Sequence, residues 1–159
     1  MTNRDEAMQA HWRLVDARSE REECWSILSA HLPGILASFF ACYAEEPEIA
    51  RIKSDVRDSL MAAQLDNWRL LCLSDLGPEY RASVKKVGLA RMKAELSPHW
   101  FMVGVGFVLQ RMRDVVDGHY RWNTRKAASM NGALRQVALF DIDVSVTSYL
   151  EFNIKRAQK

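Results

Sequence analysis

The chain has 159 residues, 48% of them hydrophobic, with seven glycines, four prolines and a formal net charge of +2. This length suits one domain with a substantial core, and the low Gly and Pro content argues against long loops. Residues 1–13 are too polar for a secretory signal, no apolar run is long enough to span a membrane, and the interspersed charges leave no basic face, so neither a membrane nor nucleic acid is expected as a partner.

Helical patterns follow one another along a single domain that covers residues 1–159. Apolar spacing and helix-start residues predict helices over residues 5–17, 19–30, 32 to just before 47, 54–73, 78–95, 98–117 and 124–155. The first of these makes residues 1–17 an extra N-terminal helix. Ser19, with Glu22 three residues on, fits a capping box, and Ser97 followed by Pro98 is a strong helix start.

Residues 139–146 are the one stretch that alternates like a β-strand and is rich in β-branched side chains. A strand needs a partner, and no second strand pattern occurs in the sequence. We therefore predict that this stretch is helical and that the fold is all-α.

Motifs for catalysis or metal binding are absent. The sequence contains no P-loop, GxGxxG, HExxH or GxSxG pattern, and no histidine lies at metal-ligand spacing from a cysteine or carboxylate. Asp141 and Asp143 fall on different faces of a helix, so we interpret them as solvated or capping carboxylates. The three cysteines form no CxxC pair, which favours a reduced, cytoplasmic setting. We expect neither an enzyme nor a bound metal.

Several segments in the same order resemble the globin-coupled sensors of bacteria, which are protoglobin-like sensory domains. Leu-Pro-Gly-Ile-Leu-Ala-Ser-Phe-Phe at 32–40 is similar to their second helix, and Leu-Ser-Pro-His-Trp-Phe at 96–101 to their Leu-x-Pro-x-Trp-Tyr signature. Residues 63–68, 79–80 and 87–88 are similar to their middle helices, and residues 139–143 and 149–151 to their last helix. The resemblance covers nearly the whole chain and implies a globin-like fold of seven to eight helices.

The same resemblance locates two substitutions in the haem pocket. In those sensors the histidine that binds haem iron lies nine residues before the signature tryptophan, which is Arg91 here, and the distal tyrosine lies seven residues before the proline, which is Phe40. A guanidinium has no lone pair to give iron, and phenylalanine lacks the hydroxyl that would donate to bound gas. Arg91 needs an acid such as Glu95, a route to water, or an anionic ligand.

The resemblance also implies the remaining pocket residues and leaves other haem ligands open. His99 is the nearest alternative ligand, although a surface histidine is the simpler interpretation, and Cys72 and Met92 are conceivable soft ligands that also fit an ordinary core. The expected pocket consists of Phe39, Tyr43, Gln64, Asn67, Trp68, Trp100 and Phe101.

The helix that begins at Pro98 is apolar on every face from residue 100 to residue 109, so it must be covered on every side. Burial at the centre of one domain would satisfy this requirement. The resemblance favours a homodimer through this helix and the last one, with an interface formed by Met102, Val103, Gly104, Gly106, Phe107, Leu109 and Phe152.

Two functional classes follow. The substitutions favour a haem-free sensory or regulatory globin domain of a bacterial signal-transduction protein, with an output domain in cis or in trans. The alternative is a haem-based gas (O₂) sensor that binds haem through another residue, such as His99.

Overall fold

The computed structural model describes residues 3–14 and 16–158, and at positions 5, 152, 153, 156 and 157 it describes the backbone alone. These residues form eight helices and no strand: α1 (Asn3–His11), α2 (Arg18–Leu28), α3 (Leu32–Cys42), α4 (Pro47–Ala50), α5 (Ser54–Leu73), α6 (Pro78–Lys93), α7 (Pro98–His119) and α8 (Thr124–Ala157). The predicted all-α fold is confirmed.

The strand-like stretch at 139–146 lies inside α8. Along this part of α8 the buried side chains recur at three- and four-residue spacing, at Val137, Phe140, Asp141 and Val144, which is the period of a helix that buries one face. The β-branched residues between them therefore lie on a helix, and their alternation in the sequence does not reflect the burial pattern.

The first two predicted helices differ from the observed ones. Helix α1 ends at His11, and Arg13 then adopts a left-handed backbone with φ of 54°, so the predicted continuation to residue 17 is wrong. Helix α2 begins at Arg18 with Ala17 at the N-cap and no side-chain cap. Ser19 therefore lies within the first turn, where its hydroxyl cannot act as the predicted cap.

Helix α4 was not predicted, and its Glu48 accepts hydrogen bonds from the residue before α7. The backbone N–H of Ser97 donates to Glu48 Oε2 at 2.9 Å, and the Ser97 hydroxyl donates to Glu48 Oε1 at 3.1 Å. Both hydrogen bonds lower the pKa of Glu48, and the bond from the Ser97 backbone has the larger effect. Ser97 is the N-cap residue of α7, as predicted, but its hydroxyl bonds to Glu48 and caps no backbone N–H of its own helix.

The helices enclose two apolar clusters. Helix α5 packs along α6, α7 along α8, and α3 against α5 and α7, while α2 contacts α5, α7 and α8. The larger cluster includes the stacked rings of Tyr80 and Phe140, whose centroids are 5.6 Å apart. We call the smaller one the aromatic cluster; its buried members are Phe39, Phe40, Ile49, Leu60, Ala94 and Trp100.

The buried Arg21 of α2 bonds to the C-terminal end of helix α5. Nη1 of Arg21 donates to the carbonyl oxygens of Leu71 at 2.6 Å and Ser74 at 3.3 Å. These bonds satisfy carbonyl groups that have no partner within the helix, which explains how a charged side chain is tolerated in the core.

All three cysteines are free, and burial raises the pKa of Cys24 and Cys72 to about 12. At neutral pH both buried groups are therefore protonated thiols. Within the described part of the chain no single helix has the length and hydropathy to cross a bilayer, and only the α2–α3 pair, bent by 71°, meets those criteria as a broken segment.

Candidate functional site

Arg91 lies in the last turn of α6, and its side chain points between helices instead of forming an ion pair. Its Cζ lies 3.8 Å from the centroid of the Phe101 ring, and its Nε is buried with no hydrogen-bond partner. Burial lowers the pKa of Arg91 to about 10, and the charge of Asp141 opposes that shift. The expected partner Glu95 makes no ion pair with it; Glu95 is exposed and follows the end of α6.

A small cavity lies beside Arg91. It measures about 20 Å³, enough for about one water molecule, and it is lined by Leu36, Phe39, Phe40, Leu60, Gln64, Arg91, Leu96, Trp100, Phe101, Gly104 and Val108. Helices α3, α5, α6 and α7 all contribute to this wall. The structure thus brings together six of the residues that the sequence placed at the pocket: Phe39, Phe40, Gln64, Arg91, Trp100 and Phe101.

Aromatic rings close the side of the cavity formed by α3. Phe40 is buried and lies edge-on to Phe39, with centroids 5.3 Å apart, so no hydroxyl is present where the related sensors have tyrosine. Tyr43 lies behind this wall, in contact with the rings of Phe39 and Trp100 at 5.1 and 5.2 Å. It is not among the residues that line the cavity, contrary to its predicted place in the pocket.

Asn67 and Trp68 also lie outside the cavity. Trp68 belongs to the larger apolar cluster. Asn67 belongs to a buried hydrogen-bond network, in which it donates through Nδ2 to Asp141 Oδ1 at 2.9 Å and accepts at Oδ1 from the Ser83 hydroxyl at 3.0 Å. Tyr80 donates its hydroxyl to the same Asp141 oxygen at 2.7 Å.

The sequence interpretation of Asp141 as a solvated or capping carboxylate is wrong. Asp141 is only 5% exposed, so it is neither solvated nor a helix cap. Burial raises its pKa, while the hydrogen bonds from Asn67 and Tyr80 and the charge of Arg91 act in the opposite direction. Its partners lie 61 and 74 residues away, and the spacing within one helix carries no information about contacts of that range.

A comparison with protein families decides the fold family. The protoglobin family model matches residues 16–153, which is most of the chain. The chain belongs to the protoglobin family. A comparison with curated proteins finds no match.

The cavity of this protoglobin does not fit haem. Pockets for small molecules typically measure about 300–1,000 Å³, whereas this one measures about 20 Å³ and is enclosed by the Arg91 side chain and aromatic rings. No histidine lines it, and Arg91 has no lone pair to donate to iron. Among the described residues, no group of three or more His, Cys, Asp or Glu side chains could hold a metal ion.

The alternative haem ligands lie elsewhere in this protoglobin. His99 is exposed in the first turn of α7, with its ring edge-on to Trp100 at 5.5 Å. Met92 is 48% exposed, and Cys72 is buried beside Arg21 and Cys24. None of the three is among the residues that line the cavity.

The residues predicted for the dimer interface face different ways. Met102 and Gly106 are exposed on α7, and a Cβ at Gly106 would meet no atom within 4 Å. Gly104 lines the cavity beside Phe39, so it faces the interior of its own chain. The other α7 residues, Val103, Phe107 and Leu109, are partly buried against the protein's own clusters, and the Phe152 side chain lies outside the described residues.

Proposed function

We propose that this protoglobin is a haem-free sensory or regulatory domain of a bacterial signal-transduction protein. The observation that carries the proposal is the position of Arg91, which stacks on Phe101 where the related sensors have their iron ligand. A cation beside the iron would oppose the metal's own charge, and it supplies no electron pair. We favour this proposal over the alternative in which His99 holds haem, because His99 is exposed and does not line the cavity.

The buried network offers a route from the cavity to the last helix. Gln64 lines the cavity on α5, and Asn67 on the same helix donates to Asp141 on α8. Tyr80 reaches the same carboxylate from α6, the helix that carries Arg91. A change in the cavity that moves α5 or α6 would therefore act on α8, because a buried carboxylate loses stabilisation when its donors move away.

The output is proposed to pass through a homodimer. Leu139, Val146, Leu150 and Ile154 recur on one face of α8 at helical spacing and are 40–57% exposed. An exposed apolar stripe of this kind is typical of a helix that pairs with another helix. A second copy of this chain would cover it, and an output domain in cis or in trans would read the position of α8.

Titration of the purified protein with haemin tests the proposal. We expect no saturable Soret band from the natural chain. Arg91→His restores an imidazole lone pair at the same place, so it should take up more haem than the natural chain. Arg111→His is the matched control, since Arg111 also stacks on a phenylalanine, Phe107, but lies on the exposed face of α7. A sharp band that saturates at about one haemin per natural chain would contradict the proposal.

A further inference from the structure

The cavity is lined by N–H donors and by no acid. Three of its lining side chains carry N–H groups, those of Gln64, Arg91 and Trp100, and the other lining residues are hydrocarbon or glycine. Within the part of the chain that the structure describes, none of these three side chains makes a hydrogen bond, and Nε of Arg91 is fully buried without an acceptor. Apart from Oε1 of Gln64, the polar groups of these lining side chains are donors, so the cavity suits a ligand that only accepts.

The charge in this space also lacks a direct counter-ion. Among the side chains that the structure describes, no carboxylate forms an ion pair with Arg91, and the contact with Phe101 supplies only part of what a partly buried cation needs. Asp141 is the acid whose charge acts on Arg91, but Asn67 and Tyr80 both bond to its Oδ1. A negative charge inside the cavity would complete the pairing of Arg91.

The size of the cavity limits what that charge can be. A volume of about 20 Å³ admits about one water-sized particle. Sulfate, phosphate and organic carboxylates are too large for the space, whereas a monatomic anion is close to its size. We propose that this cavity binds a halide-sized monovalent anion, held by the Arg91 guanidinium and the N–H groups of Gln64 and Trp100. The inference rests on the proposed haem-free function, because a porphyrin would need the same space.

Such an anion would link helices α5, α6 and α7 through hydrogen bonds. Gln64 belongs to α5, Arg91 to α6 and Trp100 to α7, so one ion would contact a donor from each. A ligand that binds only the folded state raises its stability by linkage, so the melting temperature should depend on halide. At a halide concentration ten times the dissociation constant, the expected rise in Tm is about 3–5 °C for a domain of this size.

Thermal unfolding in sodium bromide and in sodium gluconate, at equal ionic strength, measures this dependence. Gluconate is too large for the cavity, so the natural chain should melt higher in bromide. Arg91→Met and Gln64→Leu should each lose the difference, and Arg111→Met should keep it, since Arg111 stacks on Phe107 outside the cavity. Equal melting temperatures of the natural chain in both salts, or a bromide effect unchanged in Gln64→Leu and Arg91→Met, would overturn the inference.

Crystals grown in bromide give a second readout that does not depend on whether Arg91→Met folds. We expect an anomalous peak within hydrogen-bond distance of the Arg91 guanidinium. Peaks confined to the protein surface, or a water in the cavity with no anomalous signal, would refute the anion site. Haem uptake by the natural chain would refute the proposed function itself, whereas a colourless protein that is indifferent to bromide would refute only the anion site.

Discussion

Arg91 and Asp141 are opposite charges that lie near each other in the protein, one partly buried and one fully buried, and each is stabilised by different means. Asp141 accepts hydrogen bonds from Asn67 and Tyr80, whereas Arg91 has an aromatic face and a cavity. The hydrogen-bonded carboxylate is fixed, and the cation is the group with unused bonding capacity. At this scale the substitution of histidine by arginine does more than remove an iron ligand, because it introduces a charge that the surrounding residues must accommodate.

Asp141→Asn tests the buried carboxylate. Because burial raises the folded-state pKa of Asp141 above its ordinary 3.8, the stability that the protonated group contributes is present below that value. It is lost as pH rises through the folded-state pKa. The neutral amide keeps the acceptor for Asn67 and Tyr80, so the variant should gain stability relative to the natural chain as pH rises above about 4. Urea unfolding across pH measures this gain. A difference between the two chains that does not vary with pH would contradict a raised pKa.

At the scale of single helices, the end of α6 is held by local geometry. Glu95 adopts a left-handed backbone with φ of 53°. The N–H of Leu96 donates to the carbonyl oxygen of Arg91 at 3.2 Å, and the N–H of Glu95 donates to the carbonyl oxygen of Met92 at 3.1 Å. This pair of bonds is a Schellman motif, in which glycine is usual at the left-handed position. The motif fixes the last turn of α6 and therefore the direction in which Arg91 leaves the helix.

Glu95→Gly is expected to stabilise the protein by about 0.5–1 kcal/mol, because glycine adopts positive φ without the steric cost that a Cβ imposes. The Glu95 side chain is exposed, so little packing is lost. Chemical denaturation measures the change, and Glu95→Ala serves as the control, since it removes the same carboxylate but keeps the Cβ. Equal stability of the glycine and alanine variants would show that the left-handed backbone carries no cost.

At the scale of the whole molecule, the exposed stripe on α8 is the feature that a monomer leaves unexplained. Leu150 is 53% exposed in the C-terminal part of a 34-residue helix. Met102 on α7 is 49% exposed. Because these side chains are already about half buried, covering the rest of each in a helix pair is worth about 1 kcal/mol, and several of them together would favour association of two copies.

Leu150→Glu should weaken the proposed dimer by about tenfold or more in dissociation constant, since it places a charge in the apolar stripe. Sedimentation velocity over a concentration series measures the effect. Leu89→Glu is the matched control, because Leu89 is 56% exposed but lies on α6. The dimer proposal fails if the natural chain is a monomer throughout the series, or if both variants change association equally.

The sequence predicted those parts of the molecule that depend on local patterns. Helix α5 was predicted over residues 54–73 as observed, and α7 begins at Pro98 as expected, because the start and stop residues are local. The end of α1 depends on a left-handed turn at Arg13, which no propensity indicates. Likewise, the burial of Asp141 and the inward position of Gly104 depend on contacts between distant helices, with Tyr80 and Phe39 respectively.

The haem content of the protein, isolated from cells supplied with a haem precursor, tests the central claim most directly. Pyridine haemochrome absorbance measures haem per chain without any assumption about which residue holds the iron. A haem-free protoglobin should emerge colourless, with a ratio near zero even when haem is abundant. A ratio near one haem per chain would contradict the account, because it would require Arg91 and the aromatic cluster to make way for a porphyrin.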